Sequence, residues 1–487
     1  MSRLQRTLLL GLCVLPLLGA GEDLPGDARR RVQADAQEYV SLSQQIWELA
    51  EPAMKEFRSA RLLADDLRRH GFQVEMGVAG MPTAFVARAG RGRPVVGLLA
   101  EYDGLPGMSQ KTQAVRAALV EGGVGHGCGH NLLGVAAVAA ARSAAATLRE
   151  HGLPGTVILY GTPAEETGVG KVFMARSGLF DEPDVVLNWH PADTTIASYG
   201  TTLAVNSVRF RFRGVSAHAA AAPSKGRSAL DAVEITNVAV NFLREHVEED
   251  VRIHYVITDG GQVPNVVPES AEVWYFIRAP RRAQVEVLYE RVLRCARAGA
   301  LATGTELEVI LESAFYEVNP NEALARILDR HLRAAGPPHF DSGDRQLALD
   351  LRRTLGLMEG RPLADTILPP AGGWAFKAST DVGDVSWITP TTLLKVATWP
   401  AGCPPHTWQA VASGGGHLGE SGMMLAAEAM AGAAVELLIE PGSLRQVREE
   451  FERRTLGFTF VSGMPAEIGP PSVNPPQGYP SGTLEAR

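Results

Sequence analysis

Apolar positions recur at helical spacing over residues 33–69, with Val40, Ile46, Leu49 and Phe57 on one helix, then Leu62, Leu63 and Leu67, and Gly71 as the stop. Three short unbroken apolar runs follow, at 94–100 (PVVGLLA), 156–160 (TVILY) and 184–189 (DVVLNW). Such runs suit strands covered on both faces. An Ala-rich helix is expected at 132–148, between the first two runs. Strands alternating with helices predict an α/β sheet. The pattern changes near Thr201. Residues 208–213 (VRFRFR) alternate, as do 251–258 and 271–278, with a helix expected at 228–246 between them. This predicts an α+β unit with an open antiparallel sheet. A buried strand at 392–398 and an Ala-rich helix at 422–439 return the chain to the first style. The expected architecture is therefore an α/β catalytic domain (30–200 and 316–460) interrupted by an inserted domain at 201–315. A proline-rich tail, 461–487, follows; it can form neither a regular helix nor a central strand.

Composition narrows the picture. The 487 residues are 45% hydrophobic and 21% charged, ordinary globular material too long for one core. The net charge of −8 argues against a nucleic-acid partner. Arg3 and Arg6 precede an apolar run, Leu8 to Leu18, and small residues Gly19 and Ala20. The run is too short for a bilayer core of ~30 Å. It reads as a signal peptide over 1–20, which makes an exported, periplasmic or secreted protein the expectation. No later stretch is expected to cross a membrane. Four cysteines cannot build a disulfide scaffold, and cleavage would leave Cys128, Cys295 and Cys403.

Three sites of potential chemistry share one geometry. Glu101-Tyr102-Asp103 ends the first buried run, Glu165-Glu166 follows the second, and His190 ends the third. Open α/β sheets bind ligands outside the carboxyl ends of their strands. The sharpest local signal is Gly125-His126-Gly127-Cys128-Gly129-His130-Asn131, before the Ala-rich helix. Glycines allow close backbone approach, and Cys and His are metal ligands. In an extended loop Cys128 and His130 would project to one side. A Gly-rich turn with a buried thiol, or a Cys/His nucleophile pair, are the competing readings; the second leaves the paired carboxylates without a task. Of Glu165 and Glu166, one can ligate a metal while the other accepts a proton. His406 is read as a late ligand and Cys403 as a bystander, with His417 as the competitor.

The segments GHGCGHNLLG, GTPAEETGVGKVFMARSGLFD, NWHP, VSAHAAAAPSKGRSALDAVE, PNVVP, STDVGDVSW and PHTWQ resemble the amidohydrolase branch of the M20 metallopeptidases. The resemblance runs over roughly residues 30–470. It implies a di-metal aminopeptidase-like catalytic domain with an inserted dimerization (lid) domain. It implies two divalent ions, zinc or manganese, on Cys128, His130, Glu166, His190 and His406. Glu165 would be the general base, and Asp103 would orient a ligand. His218 would reach from the lid into a partner subunit's site, while Asn265 and Arg278 would hold a substrate carboxylate. Asp381 and Asp384 would stand behind the ligands, and His126 would support the loop. Relatives are commonly intracellular, unlike an exported chain, and Thr167 replaces an expected glycine.

The implied reaction is hydrolysis of the amide of an N-acyl or N-aroyl amino acid, such as p-aminobenzoyl-glutamate, by a metal-bridging water in a homodimer. A dipeptidase of the same fold and an inactive ligand-binding relative are the alternatives.

Overall fold

The computed structural model describes residues 22–476, so the leader expected at 1–20 and the end of the tail lie outside the described residues. Helices Leu24–Ala34 and Ala36–Leu49 open the described chain. The helical pattern expected over 33–69 is broken. Ala50 and Met54 take left-handed φ values of 39° and 64°, Pro52 removes a donor, and helix resumes at Phe57–Arg69. Two buried carboxylates organise the break. Glu51 accepts the backbone N–H groups of Arg58 and Ser59 at 3.0 and 2.9 Å, capping the new helix. Glu56 accepts the N–H of Met54 at 2.9 Å.

The first sheet holds β1 (Gln73–Met76), β2 (Phe85–Arg91), β3 (Val95–Ala100), β4 (Gly155–Gly161) and β5 (Val185–Leu187), in the order β1-β2-β4-β3-β5. β3, β4 and β5 are parallel, with Ala100 opposite Gly161 and Leu98 opposite Leu187, so their carboxyl ends share one edge. β1 and β2 extend the sheet antiparallel. Leu98, Leu159 and Leu187 pack into one core with helices His130–Glu150 and His417–Ile439. Leu99, Ile158 and Tyr160 pack into a second core with helices Gly170–Arg176 and Val382–Ile388. Helices His130–Glu150 and His417–Ile439 are long and apolar enough to cross a membrane, against the sequence expectation. Their most apolar stretches are 94% and 78% buried, because small alanines let them pack as core helices. A Cβ at Gly134 would stand 2.6 Å from the Glu101 carbonyl oxygen, so glycine sets how closely the first of these helices approaches the end of β3.

The run at 184–189 does not stay one strand. Asn188 separates β5 from β6 (Trp189–Ala192), which joins a second sheet with β7 (Ile196–Thr201). The inserted segment then supplies β8 (Ala204–Arg213), β9 (Arg252–Asp259), β10 (Ser270–Ala279) and β11 (Glu306–Phe315), antiparallel in the order β11-β8-β10-β9. Helices Ala229–Leu243 and Arg282–Thr303 cover it around a separate core that includes Phe210, Phe212, Val233 and Tyr275. After the insert, β12 (Ala371–Ala375) and β13 (Leu393–Ala397) complete the sheet β12-β7-β13-β6. Residues 461–476 form no regular element, yet Arg176 donates to the Pro465 and Ile468 carbonyls at 2.7 Å each and Met464 is buried.

Candidate metal centre

The parallel strand ends deliver the first groups. Glu101 and Asp103 leave β3 fully buried. Beyond β4, the short 3-10 turn Glu165–Thr167 carries the two adjacent glutamates. Ala164, which enters this turn, has φ 57°, and its N–H is held by Glu56 at 2.8 Å. The other Glu56 oxygen accepts from Thr83 Oγ1 at 3.0 Å. Burial and the Asp103 charge push Glu56 up to about 8.

Cys128 and His130 do not share an extended loop; the chain turns between them. Gly129 takes φ +69°, and His130 is already the first helical residue. The glycines make room rather than extension: a Cβ at Gly125 would lie 2.3 Å from the Met108 carbonyl oxygen. His126 braces this segment, its two ring nitrogens 3.1 Å from the Asp103 and Ile46 carbonyl oxygens. His190 stands within β6, not at a strand end; its ring meets that of His130 edge-on at 5.9 Å. His406 arrives on a left-handed residue, φ 58°, whose N–H donates to the Gly127 carbonyl at 3.0 Å.

These elements converge. Potential ligand atoms of Cys128, His130 and His190 lie within 4.8 Å of one another, as do those of Cys128, Glu166 and His406. Cys128 Sγ is 2.9 Å from His406 Nε2, which is 3.3 Å from Glu166 Oε2. Cys128 thus belongs to both sets and links them. Asp103 is shared too: one oxygen is 2.9 Å from His130 Nδ1 and the other accepts the Glu166 N–H at 2.9 Å. Glu165 turns elsewhere, 3.8 Å from His130 Nε2. Glu101 Oε2 stands 3.3 Å from the same nitrogen.

The charges are unbalanced. Glu101, Asp103, Glu165, Glu166 and Asp381 crowd the site against one buried ammonium, Lys171, among the described residues. Burial, together with Glu166 and Glu165, pushes the Cys128 thiol well up. Burial and the Glu101 charge raise Glu165 well above the carboxylate range. Burial lowers His190 to about 4, so the ring is neutral. Burial opposes a charged His130, but Asp103 and Glu101 outweigh it and raise that ring well above its usual value. His130 Nε2, Glu166 Oε1 and Glu101 Oε2 are buried without a hydrogen-bond partner. Unpartnered nitrogen and oxygen donors beside a buried thiol, amid excess negative charge, fit divalent cations.

Other predicted residues lie apart. His218, in the insert, is exposed, and its Nδ1 accepts the Ala220 and Ala221 N–H groups at 3.2 and 3.1 Å. Asn265 is its neighbour, its carbonyl accepting the Ala219 N–H at 3.0 Å. Arg278, on β10, lies over the Phe276 ring at 5.1 Å, its Nε buried without a partner. Among the described residues no hydrogen bond or ion pair joins these three to the cluster. His417 pairs with Asp344 at 2.7 Å, away from the cluster, and Cys403 lies against Pro404 and Thr407. Asp384 accepts the Tyr316 N–H at 2.9 Å, and burial pushes it up to about 8. Lys171 and Glu56 were not anticipated. Lys171 bridges Glu101 at 2.7 Å and Asp381 at 2.6 Å. The strongest available signal was a lysine inside an apolar stretch, VGKVFM.

The model of peptidase family M20/M25/M40 matches residues 97–370. The chain is 39% identical over 466 residues to one subunit of the p-aminobenzoyl-glutamate hydrolase of Escherichia coli (strain K12), covering 90% of this chain and 97% of that one. It is 30% identical over 445 residues to the Xaa-Arg dipeptidase of Mus musculus, covering 87% and 91%. Its fold is similar to that of a dinuclear metal binding peptidase from Bacillus subtilis, with a TM-score of 0.56 at 16% identity, covering 84% and 99%.

Proposed function

The chain belongs to peptidase family M20, and from that membership we propose that it is a di-metal amidohydrolase of N-acyl or N-aroyl amino acids. It is a hydrolase of amide bonds. The observation that carries the metal reading is the pair of donor sets meeting at Cys128. Cys128, His130, Glu166, His190 and His406 would hold two divalent ions. Thiolate and imidazole favour zinc, and the carboxylates also admit manganese. When bound, such ions supply Lewis-acid polarisation of the amide carbonyl and acidify water.

The chain's own residues do the rest. Glu165, free of the Cys128–His406 contact, takes the proton of the attacking water and returns it to the leaving amine. Asp103 fixes the His130 ring through Nδ1. His218 would polarise the scissile carbonyl in a partner subunit, with Asn265 and Arg278 receiving the substrate's free carboxylate. The homodimer reading is supported by an apolar surface on the insert: Ile235, Val238 and Phe242 on one helix, and Tyr255, Val256 and Ile257 on the edge strand β9 are exposed. Such an edge invites pairing. We infer export from the leader sequence at 1–20.

The test combines metal analysis and hydrolysis. Purified protein is expected to carry about two divalent ions per chain. It should hydrolyse p-aminobenzoyl-glutamate or another acyl amino acid, lose activity on chelation and regain it with zinc or manganese. Undiminished hydrolysis by metal-free protein would overturn the reading. Dipeptides in the same panel decide the dipeptidase alternative. Sedimentation tests the dimer: Phe242→Asp should shift the protein towards monomer and depress hydrolysis with it. A fully active monomer would remove the trans role of His218.

A further inference from the structure

β13 is buried at every position but one: Lys395 alone reaches towards solvent. Lys395 stands opposite His190 of β6 and Ile196 of β7 in the sheet register. Register partners project from the same sheet face. The ammonium therefore rises on the face that carries His190, and its charge opposes protonation of that ring. Lys395 Nζ lies 3.8 Å from the centroid of Phe376. Phe376 and its neighbour Trp374 are 45% and 42% exposed, so this corner is open to solvent.

Among the described residues the Lys395 ammonium makes no ion pair and no hydrogen bond. The carboxylate that acts on it, Asp193, is engaged elsewhere, accepting the Gly402 N–H at 3.0 Å. Burial pushes the lysine below its usual value. An aromatic face returns only part of the cost of desolvating an ammonium. A cation held on the His190 face of the donor cluster with no direct ion pair is arranged to receive an anion.

We propose that Lys395 binds a carboxylate on the side chain of the released amino acid, which makes the substrates N-acyl or N-aroyl derivatives of acidic amino acids. The inference rests on the amidohydrolase reading and names the substrate class of that same site. It also discriminates between the substrates that the two relatives' names give. An ammonium here attracts a glutamyl side chain and repels an arginyl one, as an Xaa-Arg dipeptide would present.

The test compares N-(4-aminobenzoyl) derivatives of glutamate, glutamine and arginine. Hydrolysis is measured in wild type, Lys395→Met and Lys395→Arg. Binding is measured separately in the Glu165→Ala background, with and without Lys395→Met. Lys395→Met should raise KM for the glutamate compound by about 10- to 100-fold, leave the glutamine compound within about twofold and improve the arginine compound. Lys395→Arg should retain most of the preference. An equal loss on the glutamate and glutamine compounds overturns the proposal, because packing against Phe376 alone would give it. So does no effect, or no binding of either compound. If nothing is hydrolysed but the binding preference for glutamate disappears in Lys395→Met, the proposal stands and the hydrolase reading fails. Hydrolysis without any glutamate preference has the opposite meaning.

Discussion

Glu165→Gln is expected to lower turnover by about 10²- to 10⁴-fold while the metal content stays unchanged. The two neighbouring glutamates differ in direction. Glu166 Oε2 lies 3.3 Å from His406 Nε2, and His406 touches Cys128. Glu165 instead lies 3.8 Å from His130 Nε2. The amide keeps the shape of the side chain and removes its ability to accept a proton. Steady-state kinetics with elemental analysis of the same samples checks the result. Glu166→Gln provides the contrast, because it should lose metal and activity together. Equal metal loss in both variants would make Glu165 a ligand rather than the base.

The proposed division of labour can be suspected from two adjacent glutamates, but their directions cannot. The turn that separates them depends on Ala164 in a left-handed conformation, held by Glu56, which lies 108 positions earlier in the chain. Nothing near Glu56 marks it. It falls inside the stretch that sequence spacing assigns to one continuous helix, because Leu49 and Phe57 share a helical phase across Pro52. The buried strands were legible for the converse reason: β3, β4 and β5 are unbroken apolar runs, and each needs cover on both faces. β1 was not legible, since Gln73–Met76 is a short, half-exposed strand that alternates polar and apolar residues. The helix expected from residue 132 starts two residues earlier, at His130, because the left-handed turn at Gly129 is a backbone property that a glycine permits but does not announce. The register of β13 against β6, which sets Lys395 beside His190, is a tertiary fact without a local sequence pattern.

Lys171→Met is expected to destabilise the fold by about 3–5 kcal/mol, the cost of leaving buried charges without their partner. Lys171 is fully buried, with Nζ 2.7 Å from Glu101 and 2.6 Å from Asp381, and its backbone N–H also donates to Asp381 at 2.9 Å. Methionine fills similar volume and supplies no charge. Glu101 and Asp381 would then face each other's field in a dry interior; burial already pushes Asp381 up to about 6 despite the lysine. Denaturant unfolding of wild type and variant measures the loss, and a change below about 1 kcal/mol would mean that the ammonium is not what balances these carboxylates. Adding Asp381→Asn should recover part of the stability, since it removes one of the stranded charges, and the shortfall from additivity measures their coupling. Glu101 carries the argument into function. Its other oxygen lies 3.3 Å from His130 Nε2. A Glu101 released from Lys171 is drawn towards whatever positive charge the cluster holds. The double variant should therefore be more stable than Lys171→Met yet still differ from wild type in metal affinity, a separation that a purely structural role for Lys171 does not produce.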